Sequence, residues 1–328
     1  MGENVIKNNN NPVIYLVIPC YNEEEVLPET FKRLTEKYNN LINNKIISPL
    51  SKIVFVNDGS KDNTWQLIEK YYTENPIISG VKLSCNKGHQ NALLAGLSIA
   101  KTRCDAAISL DADLQDDINA IDQMIDKFKN GCDVVYGVRN KRTTDSFFKR
   151  TTAQGFYKIM KVLGVNVIYN HADYRLMSKR ALEALENFEE VNMFLRGIVP
   201  LIGYKSDIVY YERNERFAGE SKYPLKKMLS FAIEGITSFS IKPIRMVTWI
   251  GFIIFFISLI MLIYTLFVNI FGSTEPGWSS IVASIWMIGG IQLLCLGVVG
   301  EYIGKIYKET KKRPNFIIET FLSNETNN

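Results

Sequence analysis

Two stretches of this 328-residue chain lack charge altogether: residues 246–274 and 276–300 contain no Asp, Glu, Lys or Arg. About 20 apolar residues span the hydrocarbon core of a bilayer, and buried helices of soluble domains rarely run that far without a charge, so both stretches read as membrane spans. Little more than Glu275 and Pro276 separates them, and that turn has no Lys or Arg. Basic residues gather outside it: Lys242 and Arg245 before the first stretch, and Lys305, Lys308, Lys311, Lys312 and Arg313 after the second. The positive-inside rule then puts both termini in the cytoplasm and the turn outside. No cleavable signal peptide is visible, because the polar, Asn-rich start runs straight into a strand pattern. The five cysteines, Cys20, Cys85, Cys104, Cys132 and Cys295, show no CxxC or other metal-ligand spacing. In a reducing cytoplasm they read as small apolar fillers. A net charge of +4 gives no reason to expect nucleic acid as a partner; the basic tail suits anionic lipid headgroups instead. There is no internal repeat.

What is present is alternation. Apolar strand patterns at Val13–Pro19, Lys52–Val56, Ile77–Ser84, Ala106–Leu110 and Asp133–Gly137 alternate with helical patterns. The helical patterns begin near Glu23, Asp62, Gly88 and Asp117. Val/Ile-rich strands alternating with amphipathic helices predict an α/β domain with a mostly parallel, Rossmann-like sheet covered on both faces. Phe147–Leu163 reads as a helix, and Asp207–Tyr211 as a further strand. From Pro224, apolar positions recur at helical spacing through Leu225, Met228, Leu229, Ala232, Ile233, Ile236 and Phe239, as in a helix lying in a membrane interface. The resulting division is a flexible start at 1–12, a soluble domain at 13–223 and an interfacial helix at 224–244. Two membrane helices at 245–302 follow, turning near 272–277, and a basic cytoplasmic tail closes the chain at 303–328.

The chemistry sits where strands end. The run Ala106–Leu110 empties into Asp111-Ala112-Asp113-Leu114-Gln115-Asp116. Two carboxylates at the carboxyl end of a buried strand can hold a hard divalent cation, although the Asp-x-Asp pattern alone is equally a solvated turn. The first strand ends in Pro19-Cys20-Tyr21-Asn22-Glu23-Glu24, and the second in Asn57-Asp58-Gly59-Ser60. In an open α/β sheet these ends share one edge, so Glu23, Asp58, Asp111 and Asp113 collect in one crevice. A carboxylate such as Asp58 can accept from a ribose hydroxyl or base N–H, and the ring of Tyr21 can flank a base.

Together "VIPCYNEEE", "VNDGSKDNT", "NKGHQNALLAGL" and "SLDADLQDD" resemble family 2 glycosyltransferases of the GT-A fold. "HADYRLMS", "RFAGESKYP", "SFSIKPIR" and the two terminal spans are similar to the polyprenyl-phosphate branch, which holds bactoprenol glucosyltransferases and dolichol-phosphate mannose synthases. The resemblance runs from about Val13 to Pro314, with Asn57 standing where many relatives carry a second Asp. It implies a nucleotide-sugar site at Pro19, Tyr21, Glu23, Asp58 and Asp111, with Arg216 and Lys222 on a Gly-containing loop over the diphosphate. It implies Mg²⁺ or Mn²⁺ held by Asp111, Asp113 and Gln115, which would neutralise the departing nucleoside diphosphate. It implies a polyprenyl phosphate acceptor gripped by Arg139 and Arg150, whose planar forks suit phosphate. Asp173 matches the position relatives assign to a catalytic base. A phosphate monoester, however, has a second pKa near ~6 and is already a dianionic nucleophile at neutral pH. Asp173 is therefore either base or orienting group for Arg175 or the sugar, while His171 and His89 read as structural.

The expected enzyme is an inverting hexosyltransferase that moves one sugar, glucose from UDP-glucose, onto undecaprenyl phosphate at the cytoplasmic membrane face. N-acetylglucosamine from a UDP donor and mannose from a GDP donor are the alternatives. A processive polysaccharide synthase is disfavoured because none of Trp65, Trp249, Trp278 or Trp286 follows an Arg, so the Gln-x-x-Arg-Trp motif of those enzymes is missing. A non-catalytic membrane scaffold is disfavoured by the intact Asp58, Asp111, Asp113 and Asp173. A homo-oligomer is compatible with this pattern.

Overall fold

The computed structural model describes residues 11–140, 171–188, 190, 195–212, 242–271 and 277–324. The expected interfacial helix from Pro224, the expected helix Phe147–Leu163, and Arg150, Arg216 and Lys222 lie outside them.

Eight strands form one sheet: β1 (Ile14–Cys20), β2 (Lys52–Asn57), β3 (Ile78–Leu83), β4 (Ala106–Ser109), β5 (Val134–Arg139), β6 (His171–Ser178), β7 (Ser206–Tyr211) and β8 (Ile318–Leu322). Their spatial order is β7-β5-β6-β4-β1-β2-β3-β8. The central strands β4, β1, β2 and β3 run parallel, as do β5 and β7. β6 lies antiparallel between β4 and β5, and β8 caps the β3 edge antiparallel. The sheet is therefore mixed, as in GT-A enzymes, with four parallel pairings of seven.

Helices α1 (Leu27–Asn43), α2 (Thr64–Glu74), α3 (His89–Lys101) and α4 (Ala120–Lys129) connect the parallel strands. Each buries one face for a reason visible in its spacing. Along α1 the buried Leu27, Phe31, Leu34, Tyr38 and Leu41 recur every three or four residues. Phe31 packs on Phe55 of β2 and stacks on Tyr71 of α2, with centroids 4.2 and 4.0 Å apart. Burying such side chains contributes about 1.5–3 kcal/mol each before conformational entropy is charged against it. α3 packs tightly on the sheet: a Cβ on Gly96 would sit 2.2 Å from Val17 Cγ1 and 2.8 Å from Val56 Cγ2, so only glycine lets this helix reach β1 and β2. α1 begins at Leu27 rather than near Glu23, because Glu23–Val26 form a turn that is tied to the next loop and Pro28 opens the helix. Beyond β6, α5 (Lys179–Glu186) is capped by the Ser178 hydroxyl accepting from the Ala181 N–H at 3.1 Å. A short α6 (Leu195–Ile198) continues into a 3₁₀ turn, Val199–Ile202.

The chain divides into two units. One carries the sheet, including residues 314–328, and the other holds α7 (Lys242–Phe271) and α8 (Trp278–Thr310). Among the described residues, Met287–Thr310 is long and apolar enough to cross a membrane, and Ile244–Ile254 is a shorter apolar stretch. The segment 303–328, expected to be a basic tail throughout, is helix to Thr310 and then supplies β8. The tail pattern hides this strand because its basic residues cluster before Pro314, while Ile318–Leu322 pairs with β3.

Candidate active site

The loops after β1, β2 and β3 are tied to one another by short polar side chains. Asn22 takes a left-handed backbone, φ 52°, which directs its side-chain Oδ1 to accept from Lys61 N at 2.9 Å. In return Asn22 N donates to Ser60 Oγ at 3.0 Å, and Glu23 N donates to Thr64 Oγ1 at 2.9 Å. Glu24 accepts from Asn63 N and Nδ2, while its own N–H donates to Asp62. Asn57 Oδ1 accepts from Ser60 N at 3.2 Å, a task its amide oxygen performs as a carboxylate would. Gly59 turns with φ +63°, and a Cβ there would lie 2.5 Å from Asn86 N.

Asp58 is buried at the centre of this knot. Its Oδ1 accepts from Lys87 N at 2.7 Å and its Oδ2 from Gly88 N at 2.9 Å. Burial pushes its carboxyl above the ordinary value, with the two backbone N–H groups and His89 pulling against that. Each oxygen thus takes one backbone donor from the loop that opens α3, and the carboxylate has acceptor sites beyond these two. Tyr21, Gly59, Trp65, Asn86 and, from β8, Glu319 line a cavity of ≈ 460 Å³ beside this knot. Pro19 lies within β1, opposite Val56, one residue before its end. Glu23 is half-buried at the turn.

The acidic part of the crevice follows β4. Leu114 adopts φ 55°, and Gln115 N donates to Asp113 Oδ1 at 3.2 Å, closing the Asp-x-Asp turn. Burial pushes the Asp111 carboxyl upward; His89 opposes this, and the charges of Asp116, Asp173 and Asp113 add to it. Such clustered carboxylates with hard oxygen donors fit a small divalent cation. Among the described residues no group of three or more His, Cys, Asp or Glu side chains converges as a metal site. Asp111 and Asp113 could therefore supply only part of a coordination shell, the usual arrangement where substrate phosphates and water complete it.

Asp173 comes from β6, the strand next to β4. Its Oδ1 accepts from Arg175 Nη2 at 3.0 Å and Arg196 Nε at 3.2 Å, and its Oδ2 from Arg196 Nη2 at 2.9 Å. Burial alone would raise this carboxyl, but the two guanidiniums and His89 hold it well below the usual carboxylate range. His89 Nε2 lies 3.5 Å from Asp111 Oδ1 and 3.8 Å from Asp173 Oδ2, so this side chain faces the carboxylates rather than a backbone group. On the far side, Arg139 Nε donates to Tyr211 Oη at 3.2 Å and its Nη2 to Asp116 Oδ1 at 3.3 Å, while Tyr211 Oη donates to the same Asp116 oxygen at 2.6 Å.

Of the expected site residues, the structure brings Asp111, Asp113 and Asp173 into one electrostatic neighbourhood, with Arg139 at its edge. Sequence reasoning missed Arg196 and His89 as partners of Asp173, and Asp116 and Tyr211 as partners of Arg139. For Asp116 the signal lay inside "DADLQDD"; Arg196, in "MFLRG", gave none.

A mixed sheet of this order with an Asp-x-Asp loop at its centre defines a GT-A glycosyltransferase. Residues 15–186 match the Glycosyl transferase family 2 description, and residues 242–306 match the GtrB C-terminal hairpin. The chain belongs to glycosyl transferase family 2. It is 56% identical over 314 residues to the Bacillus subtilis (strain 168) glycosyltransferase YkoT, covering 96% of this chain and 93% of that one. It is 41% identical over 311 residues to the prophage bactoprenol glucosyl transferase homolog of Escherichia coli (strain K12), covering 93% and 98%. Among solved structures, mannosyl-3-phosphoglycerate synthase from Rubrobacter xylanophilus is similar at a TM-score of 0.46 and 14% identity, covering 68% of this chain and 71% of its own.

Proposed function

We propose that this glycosyltransferase moves a single glucose from UDP-glucose to undecaprenyl phosphate, with inversion, at the cytoplasmic face of a membrane. The observation that carries this reading is the 41% identity to a bactoprenol glucosyl transferase homolog, which extends over 93% of the chain and so takes in both the acidic crevice and the apolar hairpin. The Met287–Thr310 stretch gives the enzyme a membrane anchor beside its lipid substrate.

In this reading the nucleotide lies at the β1 and β2 loop ends, against Tyr21 and the Asp58 carboxylate. Pro19 and Glu23 shape the entry, and Arg216 and Lys222 cover the diphosphate. Asp111 and Asp113, with Gln115, would hold Mg²⁺ or Mn²⁺ there. When bound, the ion supplies counter-charge to the leaving nucleoside diphosphate. Arg139 and Arg150 bind the lipid phosphate. That phosphate is largely dianionic at neutral pH and needs no strong base. Its oxygen attacks the anomeric carbon opposite the diphosphate; the new C–O bond forms as the old one breaks and the electron pair leaves with the diphosphate. An α-linked donor therefore yields a β-linked lipid phosphosugar. Asp173, held low by two guanidiniums, is a poor proton acceptor and acts by orienting Arg175 and Arg196.

The test is a donor panel of UDP-glucose, UDP-N-acetylglucosamine and GDP-mannose with purified protein and undecaprenyl phosphate, read by the mass of the lipid product. A hexose-bearing product from UDP-glucose is expected. A product from another donor only, or none with any polyprenyl phosphate, would overturn this reading.

A further inference from the structure

We propose that Asp116 and Tyr211 are positioning residues that aim the Arg139 guanidinium at the acceptor phosphate; this rests on the assignment of Arg139 to that phosphate. The three side chains close a triangle from three elements. Arg139 ends β5 and Tyr211 ends β7, and the two residues are register partners. Asp116 comes from the loop that also carries Asp111 and Asp113. Asn140 N donates to Tyr211 O at 2.8 Å, which fixes the crossing of the two strand ends. Asp116 and Tyr211 are 2% and 3% exposed, so neither is a substrate contact, whereas the Arg139 side chain is 22% exposed. The triangle uses Nε and Nη2 of Arg139; among the described residues Nη1 has no partner. One edge of the planar fork is thereby locked and the remaining N–H groups are left for a phosphate oxygen.

The arrangement has a second consequence. Because Asp116 lies five residues after Asp111 on the same turn, the loop assigned to the donor metal also holds the arginine assigned to the acceptor. The separation between the two substrates' charged groups is then fixed by one short loop instead of by two independent ones. Reaction rates are sensitive to such placement at the ångström scale.

The charge of Asp116 works against its geometric role, since it partly masks Arg139. Tyr211→Phe separates the two effects: it removes both hydroxyl hydrogen bonds, leaves every charge in place and keeps the ring packed edge-on against Tyr174 at 5.2 Å. Steady-state kinetics on the full chain in detergent, with a short-chain polyprenyl phosphate, reads the outcome. Tyr211→Phe should raise the acceptor KM about five- to tenfold with donor KM unchanged, and Asp116→Asn should raise the acceptor KM about tenfold. Neither substitution should add to Arg139→Ala when combined with it. If Arg139→Ala itself leaves the acceptor KM unaltered, the assignment of Arg139 fails and this inference goes with it. If Arg139→Ala raises it while Tyr211→Phe does not, positioning alone is overturned. A fall in acceptor KM for Asp116→Asn, or an equal rise in donor KM for Tyr211→Phe, likewise overturns positioning. Should Asp116→Asn fail to fold by its melting profile, Tyr211→Phe decides.

Discussion

Replacing Asp173 with asparagine tests the electrostatic heart of the crevice. The carboxylate accepts three hydrogen bonds from two guanidiniums and is itself 6% exposed, while Arg175 is 1% exposed and its Nε has no partner among the described residues. The amide would keep the shape of the side chain but leave a buried cation uncompensated. Breaking a buried pair from one side costs roughly 3–5 kcal/mol. At about 2–4 °C per kcal/mol for a domain of this size, the melting temperature should fall by about 6–20 °C. The sign of the pH dependence follows from the depressed carboxyl: its stabilisation is complete above the unfolded pKa of ~3.9 and is lost only as pH falls toward the folded value. Between pH 6 and 9 the loss should therefore be flat. Activity should drop by up to ~10²-fold through misplacement of Arg175 and Arg196, again with little pH dependence. The assay is thermal unfolding in detergent alongside a pH–rate profile, with donor binding measured separately. Wild-type melting combined with activity that returns only as pH rises to 9 would refute the reasoning and make Asp173 a proton acceptor.

Asp111→Asn and Asp113→Asn should each lower transfer by at least ~10²-fold, the scale of one lost electrostatic stabiliser, and should weaken divalent-cation binding in a calorimetric titration; full activity in EDTA would remove the metal from the mechanism. Gly59→Ala forces a Cβ to 2.5 Å from Asn86 N in a left-handed turn, so the donor KM should rise and stability fall by ~1–3 kcal/mol; an unchanged donor KM would separate this loop from the nucleotide. The anomeric coupling of the lipid phosphosugar, read by NMR, should report a β linkage, and an α linkage would rule out single displacement.

The parallel core was legible because β1 to β5 are buried almost throughout and therefore read as largely apolar runs, with β3 carrying Ser79, Gly80 and Lys82 as its exceptions. β6 was not, for the same physical reason inverted. It buries Asp173 and Arg175 against each other, so its polar letters hide an inward-facing strand. Its antiparallel insertion between β4 and β5 leaves no local trace. At the site, residue types on one strand end could be read directly, as with Asp111 and Asp113. Partnerships across the sheet could not. Asp58 could be read as a carboxylate at a strand end, but its protein donors, backbone N–H groups 29 and 30 residues away, are announced by no side-chain pattern. The starts of α1 and α4 fall three or four residues later than expected for a related reason, since the polar residues before each are spent on turns.

Strand β8 imposes arithmetic on the bilayer. It follows α7 and α8 in the chain, yet it hydrogen-bonds to β3, which precedes both. A sheet cannot be split across a membrane, so between Tyr211 and Ile318 the chain must cross an even number of times. Were Met287–Thr310 to cross, a second crossing would be needed, and α7, 30 residues and about 45 Å long at 1.5 Å per residue, has the length for it. A chain that inserted only one helix would strand its C-terminus on the wrong side and leave the β3 edge open. Pairing of β8 with β3 is therefore possible only where both strands lie on the same side of any bilayer that the intervening chain enters.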